Sequence, residues 1–266
     1  MSLISQAASA RRTARGVHAT ARIRAISVGE ATALPVLAGA GPFDLRRSRP
    51  HGSQARVCIL GVMSAPLGGD RLRIEAAAEP GAHLHVTTAA ATIALRGPTT
   101  GHATYDVHLS VAEQASLHWL PEPLISAARS NLRQSCTIDL AADARLVLRE
   151  EQVLGRAGEP PGRLTTRLTV RRDGRPVLDQ QNMYGPDAPG WDGPAVVAGH
   201  RAAGQILIVD PAYDKGPPGV RLFGDDPADG QAVLTPLAGP AILITALAPN
   251  TLRLRHLLDT ADSLGR

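Results

Sequence analysis

The chain has 266 residues, 44% of them hydrophobic and 20% charged, which is apolar material for one large core or two small ones and too much for a disordered segment. Its net charge of +4 comes from arginines scattered among acids, and aromatics at 3% leave little to stack on bases, so nucleic acid is not an expected partner. Cys58 and Cys136 lie far apart and form no C-x-x-C pair, which speaks against a disulfide framework or a cysteine metal site and fits a reducing, cytoplasmic setting.

Residues 1–29 carry several arginines and no acid but lack the apolar run of a targeting signal. The expected organisation is a loose N-terminal end over 1–16 followed by a single β domain over 17–266. Gly, Pro or charge interrupts every apolar run well short of the ~18 residues of a membrane helix, so no membrane partner is expected. From residue 17 onward short strands alternate with turns. Residues 17–28 alternate His18, Thr20, Arg22 and Arg24 with smaller or apolar side chains, 56–63 form a compact apolar run, 71–78 a half-buried strand, and Glu79-Pro80-Gly81 a turn into the next strand. Asp173-Gly174 supplies the positive φ of a tight hairpin between 164–172 and 176–183. Near the end, Asn250 can cap a helix whose Leu252, Leu254, Leu257 and Leu258 share an apolar side, with Arg253 and Arg255 turned elsewhere.

A short motif recurs at intervals of about 30 residues: Ala82-His83-Leu84-His85-Val86, Ala115-Ser116-Leu117-His118-Trp119 and Ala144-Arg145-Leu146-Val147-Leu148. At period two the Ala, Leu and final apolar residue of each copy point one way, so stacked copies bury one stripe in a shared core. These signals predict an all-β fold, mainly β with one or two short helices, arranged as an elongated layered β-sheet stack, β-helix-like or a sandwich.

Ready-made catalytic signatures are absent: there is no G-x-x-x-x-G-K-[ST], no H-E-x-x-H and no G-x-S-x-G. His83 and His85 share a strand face and His118 takes the place of His85 in the repeat, which leaves open a metal-dependent hydrolase using His83, His85 and His118 as well as plain solvated strand faces. In residues 146–159 a strand runs into a glycine-opened loop with opposite charges, readable as a functional loop or as an ordinary solvated turn.

Taken in series, Leu67-Gly68-Gly69-Asp70-Arg71-Leu72, the 81–92 strand and threonine stretch, Leu117-His118-Trp119-Leu120-Pro121, the LGR-x-GE core within 150–159, and Val170-Arg171-Arg172-Asp173-Gly174-Arg175-Pro176 resemble the UreD/UreH family of urease accessory proteins. The resemblance spans most of 20–185 and thins beyond. It departs from the family pattern at Met63-Ser64-Ala65-Pro66, at Ala89 and Ile93, and at His118. It implies a β-rich, non-enzymatic scaffold that binds apo-urease with a UreF-type protein and, through the complex, a UreG-type GTPase during nickel delivery. No tightly bound cofactor is implied, only transient Ni²⁺. Carried onto matching positions, it marks Asp70, Glu150 and Glu159 as candidates for a polar nickel route, with Arg71 and Arg156 as structural or partner contacts. Pairing of Asp70 and Glu150 with Arg71, Arg149 or Arg156 to order turns is the competing reading. Residues 250–264, with Leu264 added to the helix leucines, are a candidate part of a partner surface, with internal packing as the alternative. A β-rich binding module unrelated to urease also stays open.

Overall fold

The structure, a computed structural model, describes residues 16–265, with side chains in the last helix described as far as Ser263. The expected N-terminal end over 1–16 therefore falls outside the described residues except for Gly16, and so does the side chain of Leu264. In the first half lie β1 (His18–Val28), β2 (Ala31–Ala38), β3 (Phe43–His51), β4 (Gln54–Gly61), β5 (Arg71–Ala78), β6 (His83–Thr88), β7 (Thr92–Ala94), β8 (Ala103–Val111) and β9 (Ser116–Leu120). They are followed by β10 (Leu124–Ser126), β11 (Asn131–Leu140), β12 (Arg145–Leu154), β13 (Arg163–Arg172), β14 (Arg175–Tyr184), β15 (Ala202–Val209), β16 (Arg221–Phe223), β17 (Gln231–Pro236), β18 (Ala241–Ala248) and the helix α1 (Thr251–Gly265). The all-β expectation is met, and α1 is the only α-helix among the described residues.

Two sheets result. One runs β14-β13-β11-β8-β5-β1-β2, the other β16-β17-β18-β15-β12-β9-β6-β4-β3, with β10 and β7 attached at β12. Their centres are parallel because the chain winds between them: β5 leads into β6, β8 into β9 and β11 into β12. Each crossing uses the same bend, closed by Ala82 N to Glu79 O, Ala115 N to Ala112 O and Ala144 N to Ala141 O. The bend brings in an alanine that is at most 1% exposed, a place too tight for a larger side chain. This is a β-solenoid-like stack, and its rungs are the repeat read from the sequence. Leu84, Leu117 and Leu146 stand opposite one another across β6, β9 and β12, none more than 1% exposed.

Period-two alternation builds the core between the sheets. In β5, Leu72, Ile74, Ala76 and Ala78 point inward while Arg71, Arg73 and Glu75 face out. Ile74, Val107, Cys136 and Leu168 align across the first sheet and join the leucines of the second in one cluster. At Asp173-Gly174 both residues take positive φ, 50° and 72°, and β13 and β14 pair antiparallel as expected.

A second core lies on the outer face of the other sheet. Here β15 is buried on both sides, and Leu254, Leu257, Leu258 and Ala261 of α1 cover Ile206, Ile208 and Ile244. Gly204 permits the approach, since a Cβ there would meet Leu258 Cδ1 at 3.0 Å and Leu254 Cδ2 at 3.1 Å. Asn250 Oδ1 accepts from Arg253 N at 2.9 Å, the expected cap. The leucine stripe needs correction: Leu252 is 83% exposed while Leu254, Leu257 and Leu258 are buried. Two residues before Leu254 is roughly 200° around the helix, so Leu252 turns to solvent. Arg253 and Arg255 do turn elsewhere, Arg253 to Asp229 O and Arg255 to Glu122 and Glu151. No helix among the described residues is long and apolar enough to cross a membrane.

Candidate functional site

Asp70 closes a turn. Its Oδ1 accepts from Val17 N at 2.7 Å and its Oδ2 from Leu67 N at 2.8 Å, while the side chain is only 2% exposed. Both carboxylate oxygens are therefore spent on tying the start of β1 to the start of β5. Arg71 turns away from the Asp70 carboxylate, donating to Asp70 O and His102 O. The preceding glycines are required by packing, since a Cβ on Gly68 would meet Gly101 O at 2.9 Å.

Glu159 closes a second turn. Its carboxylate takes the Arg156 guanidinium through Nε at 2.8 Å and Nη2 at 2.9 Å, and accepts from the backbone N of Ala128 and Arg156. The Arg156 hydrogen bonds hold its pKa down to about 2. Arg201, not anticipated from sequence, locks the same loop by donating to Leu154 O at 2.7 Å and Glu159 O at 2.6 Å. Gly155 at φ 84° lets the chain fold back where a Cβ would meet Glu159 O.

Glu150 is different. It continues the inward stripe of Leu146 and Leu148, so β12 carries a carboxylate into the space between the sheets, 8% exposed. Gln205, directly opposite on β15, donates to Glu150 Oε2 at 2.7 Å and accepts from Gln180. No ion pair reaches Glu150 among the described residues; Arg149 turns to the other face, to Glu151 and Asp259. Burial pushes the Glu150 pKa up, with the Gln205 hydrogen bond pulling against it. Burial also drives the Cys136 thiol well up, with Glu150 adding to the effect, and Tyr184 to about 12 for the same two reasons.

Beside Glu150 is a cavity of about 30 Å³ whose lining includes Tyr105, Trp119, Gln134, Cys136, Gln152 and three acids, Glu122, Glu150 and Glu151. It shares Thr92 and Tyr105 with a surface cleft of about 410 Å³ near Met63 and Ile93. It shares Gln152 with a second cleft of about 610 Å³ that Gln180, Asn182, Gln205 and His200 line. The cavity thus stands between two clefts on different parts of the surface. Of the three carboxylates marked in the sequence, Glu150 alone walls it. Its polar companions Gln134, Cys136, Gln152 and Gln205 were missed, although counting by two from Leu146 through Leu148 places Glu150 and Gln152 on the inner stripe.

The histidines do not converge. His85 and His118 have ring centroids 5.7 Å apart, but His83 Nδ1 pairs with Ser116 Oγ at 2.9 Å. Burial lowers the His85 pKa to about 4, with Arg56 and His118 contributing. Among the described residues no group of three or more His, Cys, Asp or Glu side chains is placed to hold a metal ion. A further buried acid was overlooked: the Glu151 side chain, 0% exposed, lies under α1 between Arg149 and Arg255.

Residues 17–265 match the profile of the family described as UreD urease accessory protein. The chain belongs to the UreD family. It is 65% identical over 247 residues to urease accessory protein UreD 2 of Saccharopolyspora erythraea, covering 93% of this chain and 87% of the relative. It is 58% identical over 256 residues to urease accessory protein UreD of Streptomyces avermitilis, covering 95% of this chain and all of the relative, 100%. It is also 39% identical over 265 residues to that of a Parafrankia strain, covering 92% and 87%. The family match extends well past residue 185, where the motif resemblance thinned, and sets aside a β-rich module unrelated to urease. In this UreD-family chain Asp70 and Glu159 order turns, and of the three marked carboxylates only Glu150 lines the cavity.

Proposed function

We propose that this chain is a non-enzymatic scaffold for urease maturation, which binds apo-urease together with UreF-type and UreG-type partners in the cytoplasm and handles Ni²⁺ as cargo with no tightly bound cofactor. The observation that carries the reading is the joint one of family membership over 17–265 and a buried carboxylate, Glu150, in a cavity between two surface clefts. A cargo ion has to be released, so a closed shell of strong ligands is unsuited to the task. Glu150, met only by the neutral amide of Gln205, suits weak, transient holding. Asp70 and Glu159 serve the same task indirectly, through the turns that fix β5 and β12.

Association is tested by co-expressing a tagged form of the chain with the urease subunits and the UreF-type and UreG-type proteins of one operon. The expected result is a complex containing apo-urease that assembles on the Glu150→Gln variant as well, since the buried carboxylate is not a surface contact. Failure of the unaltered chain to retain urease or either accessory protein would overturn the reading.

A further inference from the structure

The strands at the ends of a sheet turn unpaired backbone groups outward and invite another chain to pair unless they are guarded. Three of the four ends here are guarded. β2 carries Pro35 near its middle, β3 carries Arg46, Arg47, Arg49 and Pro50, and β16 is three residues long. The fourth, β14, is ten residues long and has Arg175 and Pro176 only at its start, beside the hairpin. The irregularity in its pairing with β13 also lies there, at Val170 and Arg171, so that 178–184 runs in plain register. Asp179 is the one charged residue in that stretch. It is met by Arg167 Nε at 3.1 Å, Arg167 Nη2 at 3.0 Å and Thr169 Oγ1 at 3.2 Å, so its charge is neutralised within the sheet. Apart from the pairing with β13, no backbone hydrogen bond reaches 178–184 among the described residues.

We propose that 178–184 is the edge at which a second copy of this chain adds, antiparallel, about a two-fold axis through Gln181, joining the two seven-stranded sheets into one. The occupant is read from the side chains. With Gln181 set opposite Gln181, the stretch Leu-Asp-Gln-Gln-Asn-Met-Tyr places Gln180 opposite Asn182 and Leu178 opposite Tyr184. Amides then face amides, each offering a donor and an acceptor, and the apolar ends meet each other. The remaining pair sets the neutralised Asp179 opposite Met183, which is 48% exposed in the single chain. A foreign strand would satisfy the backbone, but the order of side chains on this edge is matched by its own reverse. The axis stands perpendicular to the sheet, so the inward and outward faces of β14 are kept in both copies. Gln180, Asn182 and Tyr184 also line the cleft of about 610 Å³, where Val196 and Leu222 are 44% and 66% exposed, so apolar surface flanks the edge. The pairing is independent of nickel and of urease.

Sedimentation equilibrium of the full chain is expected to show a monomer–dimer equilibrium with the dimer populated at about 100 μM. Gln181→Lys sets two like charges opposite each other at an exposed position, so it should weaken the dimer by about tenfold or more and leave the melting temperature of the dilute chain unchanged. Register is read in a Cys58→Ser background, because Cys136 is buried and Cys58 only partly so. There Gln181→Cys should be joined to its own copy by a short bis-maleimide. Met183→Cys should not be, since its two copies lie roughly 14 Å apart along the strands. A chain that keeps the monomer mass at about 100 μM, a dimer indifferent to Gln181→Lys, or crosslinking through Met183→Cys in place of Gln181→Cys would each overturn the proposal. A monomeric chain whose Gln181→Lys variant loses a co-expressed protein would give the edge to that protein and overturn it as well.

Discussion

Glu150 and Gln205 face each other across the β12–β15 pair, and the Gln205 amide donates to the Glu150 carboxylate at 2.7 Å. A neutral amide satisfies one oxygen without neutralising the charge, which is how a carboxylate is kept in the interior yet available. Gln205→Leu should cost about 1–3 kcal/mol in urea unfolding by leaving the carboxylate without its donor, and a paired Glu150→Leu, Gln205→Leu change should recover part of that loss. An unchanged midpoint in the single variant would mean that the hydrogen bond is not formed.

The rung register makes a sharper demand. Leu146 is 1% exposed and stands opposite Leu117, which in turn stands opposite Leu84. Leu146→Ala is expected to destabilise the chain by about 2–5 kcal/mol as a core cavity. A change within about 0.5 kcal/mol, the scale of a surface substitution, would contradict the register.

Helix α1 divides its leucines by function. Leu257 and Leu258 are 3% and 0% exposed beneath it, and Leu252 is open to solvent. Leu258→Gln should lower the melting temperature of the lone chain sharply, whereas Leu252→Gln should leave it within about 0.5 kcal/mol of the original stability. Of these two, only Leu252 is available to a partner, and equal melting of both variants would show that the helix is not a lid.

The Arg156–Glu159 turn fixes a pH signature. The Glu159 pKa falls from an ordinary 4.5 to about 2 on folding, so its contribution is present above the unfolded value and is lost as pH falls through the folded one. The difference in melting temperature between the native chain and Glu159→Gln should be flat from neutral pH down to about 5 and shrink between there and about 2. A difference that stays constant across the acid range would show that the ion pair does not order the loop.

Much of this was legible in the sequence, for local reasons. Alternation in 71–78 and the Ala-x-Leu repeat report which side of a strand is buried, and Asp173-Gly174 reports a hairpin, because each signal lies within a few neighbouring residues. Arg201 locking the Glu159 loop, and Gln205 meeting Glu150, depend on partners 42 and 55 positions away that strand pairing alone brings together. Asp70 read as a possible route residue because its two donors, the backbone N of Val17 and of Leu67, carry no signal in side-chain identity. Leu252 is close in sequence to the other helix leucines, but its angular position two residues before Leu254 puts it on the opposite side of the helix.

The most direct test is urease activation at limiting nickel in a strain expressing urease with its UreF-type and UreG-type proteins, compared with and without this chain and with Glu150→Gln in its place. The expected result is active urease only when the unaltered chain is present, with activation by Glu150→Gln markedly reduced although the variant folds and assembles. Full activation in the absence of the chain would contradict its role in maturation, and full activation by Glu150→Gln would contradict a nickel path through the cavity.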